Sequence, residues 1–169
     1  RKAINGAYGD FTPSFFFEIP NLFRKNGKLP LDVAIIQVSA PDEHGYCSYG
    51  ISCDYTKGAA ENAKIVIAQV NKYMPRTLGE NFIHLSAIDS IVEYDQPILQ
   101  LNPPKIGEVE KKIGEYCASL IQDGDTLQLG IGAIPDAVLT FLKEKKHLGI
   151  HSEMISDGVV DLMLAGVID

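Results

Sequence analysis

Two stretches of this chain hold residue types that could do chemistry on a carbonyl group. The first is LGIHSEMISDGVV, residues 148–160, in which Glu153 stands between an apolar run and a helix start, with no charged residue before Asp157. A carboxylate placed beside backbone N–H donors can act as a covalent nucleophile on an activated acyl group. A solvated loop glutamate, the ordinary fate of this residue type, is the other reading of the same residues. The second stretch is GIGAIPDAV, residues 130–138. Glycines after a strand let a ligand approach the backbone, and the helix that follows offers unpaired N–H groups to an anion. The third glycine of a dinucleotide fingerprint would fall three residues after Gly132, where Pro135 stands, so a nicotinamide-dinucleotide site is disfavoured. A tight turn that needs small residues explains the same glycines.

Both stretches require a strand before them and a helix after them. TLQLGIG, residues 126–132, follows the Asp123-Gly124 turn and reads as a strand that ends in glycines. Pro135 suits the first turn of a helix whose apolar stripe is Ile134, Val138, Leu139 and Leu142. LGIHS reads as a short strand, followed by a helix from Ser156 or Asp157 to Leu164 with Gly166 at its end. Open α/β sheets bind ligands at the carboxyl ends of their strands. The glycine loop and Glu153 are therefore expected at one edge, on neighbouring strands.

Upstream, LDVAIIQVS (31–39) and KIVIAQV (64–70) are continuous apolar runs that suit strands covered on both faces, as in a parallel sheet. IDSIVEYD (88–95) reads as a shorter third strand, and PDEHGYCSYG (41–50) as a loop dense in turn formers. The three prolines of QPILQLNPPKIG (96–107) break regular structure and mark a linker. Beyond it Ile106, Val109, Ile113, Cys117 and Leu120 recur at helical spacing, with Glu108/Lys112 and Lys111/Glu115 as i,i+4 pairs on the outer side. The alternation predicts an α/β fold of open, mainly parallel sheets flanked by helices. It divides into two units, residues 1–102, partial at the start, and 103–169, incomplete.

The 169 residues are 46% hydrophobic and 22% charged, an ordinary globular composition. With 15 Lys+Arg against 22 Asp+Glu the net charge is −7, and no basic block supplies a nucleic-acid footprint. No run approaches the roughly 18 apolar residues that span a bilayer. Cys47, Cys53 and Cys117 are an odd number with no CxxC, which suits reduced thiols in a cytoplasmic protein. His44, Cys47 and Cys53 match no zinc spacing, so no metal site is assigned. Ser48 lacks the glycine two positions before it that a nucleophile elbow needs. Asp42 and His44 suit a polar loop, His84 a satisfied near-core position, and His147 a helix end in KEKKH. Arg76, Lys57 and Lys72 are candidate phosphate contacts that no spacing singles out, and the aromatics of GDFTPSFFFEIP read as a buried core face, with a substrate wall as the alternative. The chain begins without methionine, RKAINGAYGD has no apolar leader, and GVID follows a helical pattern, so it reads as an internal piece of a longer protein.

VSAPDEHGYCSYGIS, IAQVNKYMPRTLGE, GDTLQLGIGAIPDAV and LGIHSEMISDGVV, taken in order, resemble the acetyl-CoA hydrolase/transferase family, and the resemblance runs over essentially the whole chain. It implies a pair of α/β units of the CoA-transferase type with the active site between them. It also implies that Glu153, in the HSE motif, is the catalytic nucleophile, and that Gly130, Ile131, Gly132, Ala133 and Ile134 form the coenzyme A-binding loop. The implied activity moves CoA between a short-chain acyl-CoA and a carboxylate such as 4-hydroxybutyrate, butyrate or acetate, by a ping-pong route through a glutamyl-CoA thioester. Coenzyme A and acyl-CoA then serve as substrates, with no tightly bound cofactor, no metal, no nucleic acid and no membrane, in a cytoplasmic enzyme that forms a homodimer. A thioester hydrolase on the same scaffold, a non-catalytic ligand-sensing domain and a sugar-phosphate isomerase on a related sheet are the rival readings.

Overall fold

A computed structural model describes residues 2–169, in two compact units, Arg1–Leu99 and Gln100–Asp169. In the first unit two single-turn helices, α1 (Lys2–Asn5) and α2 (Ile19–Leu22), precede β1 (Val33–Val38). Then come β2 (Tyr46–Ser48), α3 (Asp54–Asn62), β3 (Ile65–Val70), β4 (Phe82–His84) and β5 (Ser90–Glu93). β1, β3 and β5 form a parallel sheet in that order, with Val33 opposite Ile65 and Ile67 opposite Ser90. Parallel neighbours need a crossover connection, and α3 supplies the one between β1 and β3. The predicted loop at 41–50 contains β2, which pairs antiparallel with β4.

Alternation along β1 turns Ala34, Ile36 and Val38 inward, where they meet Cys47, Tyr49, Ala60, Val66, Ala68 and Ile83. The opposite face stays open at Val33, Ile35 and Ile65, with Ile35 79% exposed. The expectation of strands covered on both faces is thus met on one face only, because α3 and the β2–β4 pair pack on the same side. The aromatic segment also departs from expectation. Phe11, Phe15, Phe16 and Phe17 are exposed, and their contacts are the Phe15–Phe17 stack and the Phe16–Tyr55 edge contact. Phe11 and Phe15 lie in irregular chain, and Phe16–Glu18 is a single 3-10 turn, too short to give these rings a common face.

Polar side chains pin the loops of this unit. Asn71, fully buried, donates from Nδ2 to Gln37 Oε1 and to the Gln96 carbonyl, which fastens the start of the 96–107 segment to the sheet. Ser48 Oγ accepts from the Gly50 and Thr77 amides and donates to the Thr77 carbonyl. Asp42 accepts from the His44 and Tyr46 amides and pairs with Arg76 Nη2 at 2.6 Å.

The second unit runs α4 (Glu108–Leu120), β6 (Thr126–Leu127), α5 (Ala133–Thr140), β7 (Gly149–Ile150) and α6 (Asp157–Leu164). Glu110 Oε2 accepts the Gly107 amide at 3.0 Å and closes the first turn of α4. The charged pairs on α4 form at i,i+3, Lys111 with Glu108 and Lys112 with Glu115, rather than at the predicted i,i+4 spacing. Both spacings bring side chains together on a helix surface. The buried edge of α4 is Gly114 and Ala118, while Val109, Cys117 and Leu120 of the predicted stripe are exposed. The shift has a steric cause. A Cβ on Gly114 would lie 2.8 Å from the Ala137 carbonyl carbon, so α4 meets α5 backbone to backbone at the one residue that permits it.

α5 ends at Thr140, and KEKKH (143–147) forms turns rather than a helix end. Within it His147, at φ 57°, bonds Asp169 Oδ2 at 2.7 Å. Ile134, expected in the apolar stripe of α5, is 45% exposed, while Val138, Leu139 and Leu142 are buried. With Leu148, Val159, Leu162 and Val167 they make the core of this unit. Each fully buried leucine there contributes about 1.5–3 kcal/mol relative to exposure.

Candidate active site

β6 and β7 lie side by side in parallel, Thr126 opposite Gly149 and Leu127 opposite Ile150. The glycine loop leaves the carboxyl end of β6 and Glu153 leaves the carboxyl end of β7, so both reach the same sheet edge. Leu148 extends this arrangement on the other side of β7 through a parallel bridge to Ile168. The pattern is two successive strand–helix crossovers, and the edge where they turn is where open α/β sheets place ligands.

The glycine loop owes its shape to Gly132. Its φ of 121° and ψ of −177° belong to a region essentially reserved for glycine, while its surroundings are open and would accept a Cβ. Glycine is required here by backbone conformation, not by crowding. The chain enters α5 at Ala133, and the Asp136 amide is the first to bond back, to the Gly132 carbonyl at 3.2 Å. Helix geometry leaves the Ala133 and Ile134 amides without intrahelical acceptors, and Pro135 brings no amide at all. Two N–H groups at the positive end of an eight-residue helix thus face outward beside a glycine that allows close approach. Ile131 and Ile134 are exposed at the same turn. Asp136, a residue that sequence reasoning did not single out, keeps one buried carboxylate oxygen without a hydrogen-bond partner.

Glu153 lies in the loop between β7 and α6 and is exposed. None of the ion pairs among the described residues includes it. An unpaired carboxylate keeps its lone pairs free for attack, whereas a bound cation would withdraw them. Its loop is held from one side by Ser152, whose Oγ donates to the Leu129 carbonyl at 2.8 Å and accepts the Leu129 amide at 3.2 Å. Leu129 is the residue before Gly130, so one hydroxyl links the Glu153 loop to the glycine loop. On the other side Ser156 starts α6 in an extended conformation.

The remaining sequence candidates fall elsewhere. Asp42 is held by Tyr46, His44 and Arg76 as described. The amide of Tyr46 acts most strongly to lower its carboxyl below the usual range; desolvation opposes it, and the His44 amide and the Arg76 guanidinium add to the lowering. Lys57 donates to the Glu80 carbonyl and Lys72 pairs with Asp95, so each of the three cations proposed for phosphate has a protein acceptor. His84 is partly buried and bonds through both ring nitrogens, to Ser86 and to the His44 carbonyl. Cys47 lies in the core of the first unit and burial pushes its thiol up, while Cys117 is exposed on α4. The first unit also carries an open depression of about 500 Å³ beside Ile35, Ile51, Met74 and Ile98, with no titratable side chain in its lining. It offers no acid, base or ionisable nucleophile.

Residues 1–102 match the family model for the acetyl-CoA hydrolase/transferase N-terminal domain. A 4-hydroxybutyrate coenzyme A transferase of Clostridium kluyveri is 68% identical over all of this chain, which covers 39% of that relative. The crystal structure of a 4-hydroxybutyrate CoA-transferase from Porphyromonas gingivalis matches 93% of this chain and 40% of its own with a TM-score of 0.86 at 55% identity. The structure of RipA from Yersinia pestis matches 99% of this chain and 39% of its own, with a TM-score of 0.90 at 36% identity. The chain thus spans about two fifths of the length of these relatives. The α/β architecture is that of solved CoA-transferases, and the chain belongs to the acetyl-CoA hydrolase/transferase family.

Proposed function

We propose that the chain contributes the nucleophile of a CoA-transferase that moves CoA between a short-chain acyl-CoA and a carboxylate, with 4-hydroxybutyrate, butyrate and acetate as the acids. The observation that carries this reading is the shared carboxyl edge of β6 and β7, from which both the glycine loop and an ion-pair-free Glu153 emerge. Residues 1–102 are then the first transferase unit and 103–169 the start of the second. The names of the relatives support the reaction class and the first of the acids.

The chemistry follows from a carboxylate beside oriented amides. The Glu153 carboxylate attacks the thioester carbonyl and expels CoA thiolate, which leaves a mixed anhydride between Glu153 and the acyl group. The thiolate attacks the Glu153 carbonyl, releases the first acid and forms a glutamyl-CoA thioester. The acceptor carboxylate attacks that thioester, again freeing thiolate and forming an anhydride. The thiolate then takes the acceptor acyl group and restores the carboxylate. Each tetrahedral intermediate carries an oxyanion, and the outward Ala133 and Ile134 amides are donors suited to it. The kinetics are ping-pong because the first acid leaves before the second binds.

The test is Glu153→Gln in the full-length protein, an exchange that keeps size and removes the nucleophile. Turnover should vanish while CoA binding and the unfolding transition persist. Undiminished turnover in the folded variant excludes Glu153 as the nucleophile. Acyl-CoA consumption that proceeds equally well without an added carboxylate would instead assign hydrolysis.

A further inference from the structure

We infer that Ser152 is a positioning residue that sets the reach of Glu153 by taking, with its side chain, the two bonds through which Leu129 would continue the β6–β7 ladder. The inference rests on the assignment of Glu153 as nucleophile.

The register shows the replacement. In a parallel ladder the donors of one strand advance by two residues as the acceptors of its neighbour do. Here the Gly149 amide donates to the Asp125 carbonyl at 2.9 Å, and the His151 amide donates to the Leu127 carbonyl at 3.0 Å. The next rung would run from the Glu153 amide to the Leu129 carbonyl. That carbonyl is taken by Ser152 Oγ at 2.8 Å, and the Leu129 amide, the next donor of β6, is also taken by Ser152 Oγ at 3.2 Å. A single hydroxyl, one donor and one acceptor here, satisfies both polar groups of Leu129.

Two consequences follow for the site. The backbone of Glu153 is released from the sheet one rung early, so the side chain stands out from the edge, exposed, instead of alternating into the strand. The release is still anchored, because residue 152 remains fixed to residue 129 and through it to the start of the glycine loop. The distance between the nucleophile loop and the Ala133 and Ile134 amides is therefore governed by one side chain. A nucleophile and its oxyanion donors must hold their mutual position closely, and a misplacement of about 1 Å costs on the order of 100-fold in rate. A serine whose only task was to satisfy a buried group would give stability without that effect.

The experiment compares Ser152→Thr with Ser152→Val in the full-length protein, with Glu153→Gln and the parent beside them. Threonine and valine share a shape and differ by the hydroxyl, so the pair isolates the Leu129 bonds. Initial rates with an acyl-CoA and a short carboxylate give kcat and KM, and borohydride trapping gives the rate of thioester formation at residue 153. S152T should stay within about threefold of the parent. S152V should lose roughly 10- to 100-fold in kcat and in trapping rate, with KM for acyl-CoA within about threefold. An S152V variant with parental kcat overturns the inference, and so does an S152T variant as slow as S152V. A loss of kcat that merely matches the fraction of unfolded protein, measured by circular dichroism, overturns it as well, since the role is then structural. Turnover that survives E153Q is a different outcome, because it removes the nucleophile assignment itself.

Discussion

Replacing Gly132 by alanine probes the loop at its most constrained point. The φ of 121° and ψ of −177° place this residue where an L-side chain costs about 1–3 kcal/mol, yet no heavy atom lies within 4 Å of the added Cβ. Steric conflict with neighbours therefore adds nothing, and the whole effect is backbone strain. The strain can appear in two places. If the loop keeps its shape, G132A loses that amount in folding stability. If the loop relaxes, stability is spared and the strain is met when a ligand restores the shape. The two losses should sum to about 1–3 kcal/mol, and a loss entirely in binding would raise the dissociation constant for CoA by roughly 5- to 150-fold. Urea unfolding and calorimetric titration with CoA, on the same preparations, measure both. Gly124→Ala is the control, since Gly124 has a φ of 85°, equally open surroundings and a place in the Asp123-Gly124 turn before β6. It should lose about 1–2 kcal/mol of stability and keep its CoA affinity. A G132A protein that loses neither stability nor affinity refutes the argument, because the loop then does not need the conformation that glycine supplies.

Gly114→Ala tests the contact that seats α5 behind the loop. The added methyl would stand 2.8 Å from the Ala137 carbonyl carbon, so overpacking of about 1–3 kcal/mol should outweigh the helix-propensity gain of about 1 kcal/mol, and urea midpoints should fall. For Asp42, whose carboxyl is held low by the Tyr46 amide first and by His44 and Arg76 as well, the sign is that of a depressed acid. Its contribution is fully present above the ordinary value of about 3.9 and disappears as pH falls through the lower folded value. Stability measured between pH 6 and pH 2 should therefore fall more steeply below pH 4 in the parent than in D42N, and equal slopes would count against the assignment. Cys47, buried with its thiol pushed up, should resist iodoacetamide in the native protein and react once urea unfolds it. Modification of Cys47 at the rate of a free thiol would contradict its place in the core.

Periodicity made the scaffold of the site legible in advance. Continuous apolar runs announced β1 and β3, the Asp123-Gly124 turn announced β6, and Pro135 fixed the start of α5. From these the shared edge of the glycine loop and Glu153 could be read, because two parallel strands with short crossovers leave the sheet on the same side. What could not be read depends on partners distant in sequence. The face that α4 buries is chosen by Gly114 meeting Ala137, a contact that no spacing within α4 encodes. The aromatic run at 11–17 carries the composition of a core, but within its own unit its one ring contact with a helix is Phe16 on Tyr55 of α3, so its rings stay exposed. β2 was hidden because three residues among turn formers become a strand only when β4 supplies the partner. Ser152 was hidden for a related reason. Its role rests on the register that sets Leu127 against Ile150, and the signal that could have found it is a hydroxyl two residues beyond a strand end, beside an acidic residue.

Covalent attachment of Glu153 to CoA is the most direct signature of transfer through this carboxylate. The full-length protein would be mixed briefly with an acyl-CoA, digested and analysed by peptide mass spectrometry, with borohydride added to a parallel sample. The predicted result is a CoA adduct on the peptide that contains Glu153, removed by an added carboxylate and converted by borohydride to the corresponding alcohol. A protein that binds CoA and turns over acyl-CoA, yet shows no adduct and no reduced residue at position 153, would contradict it.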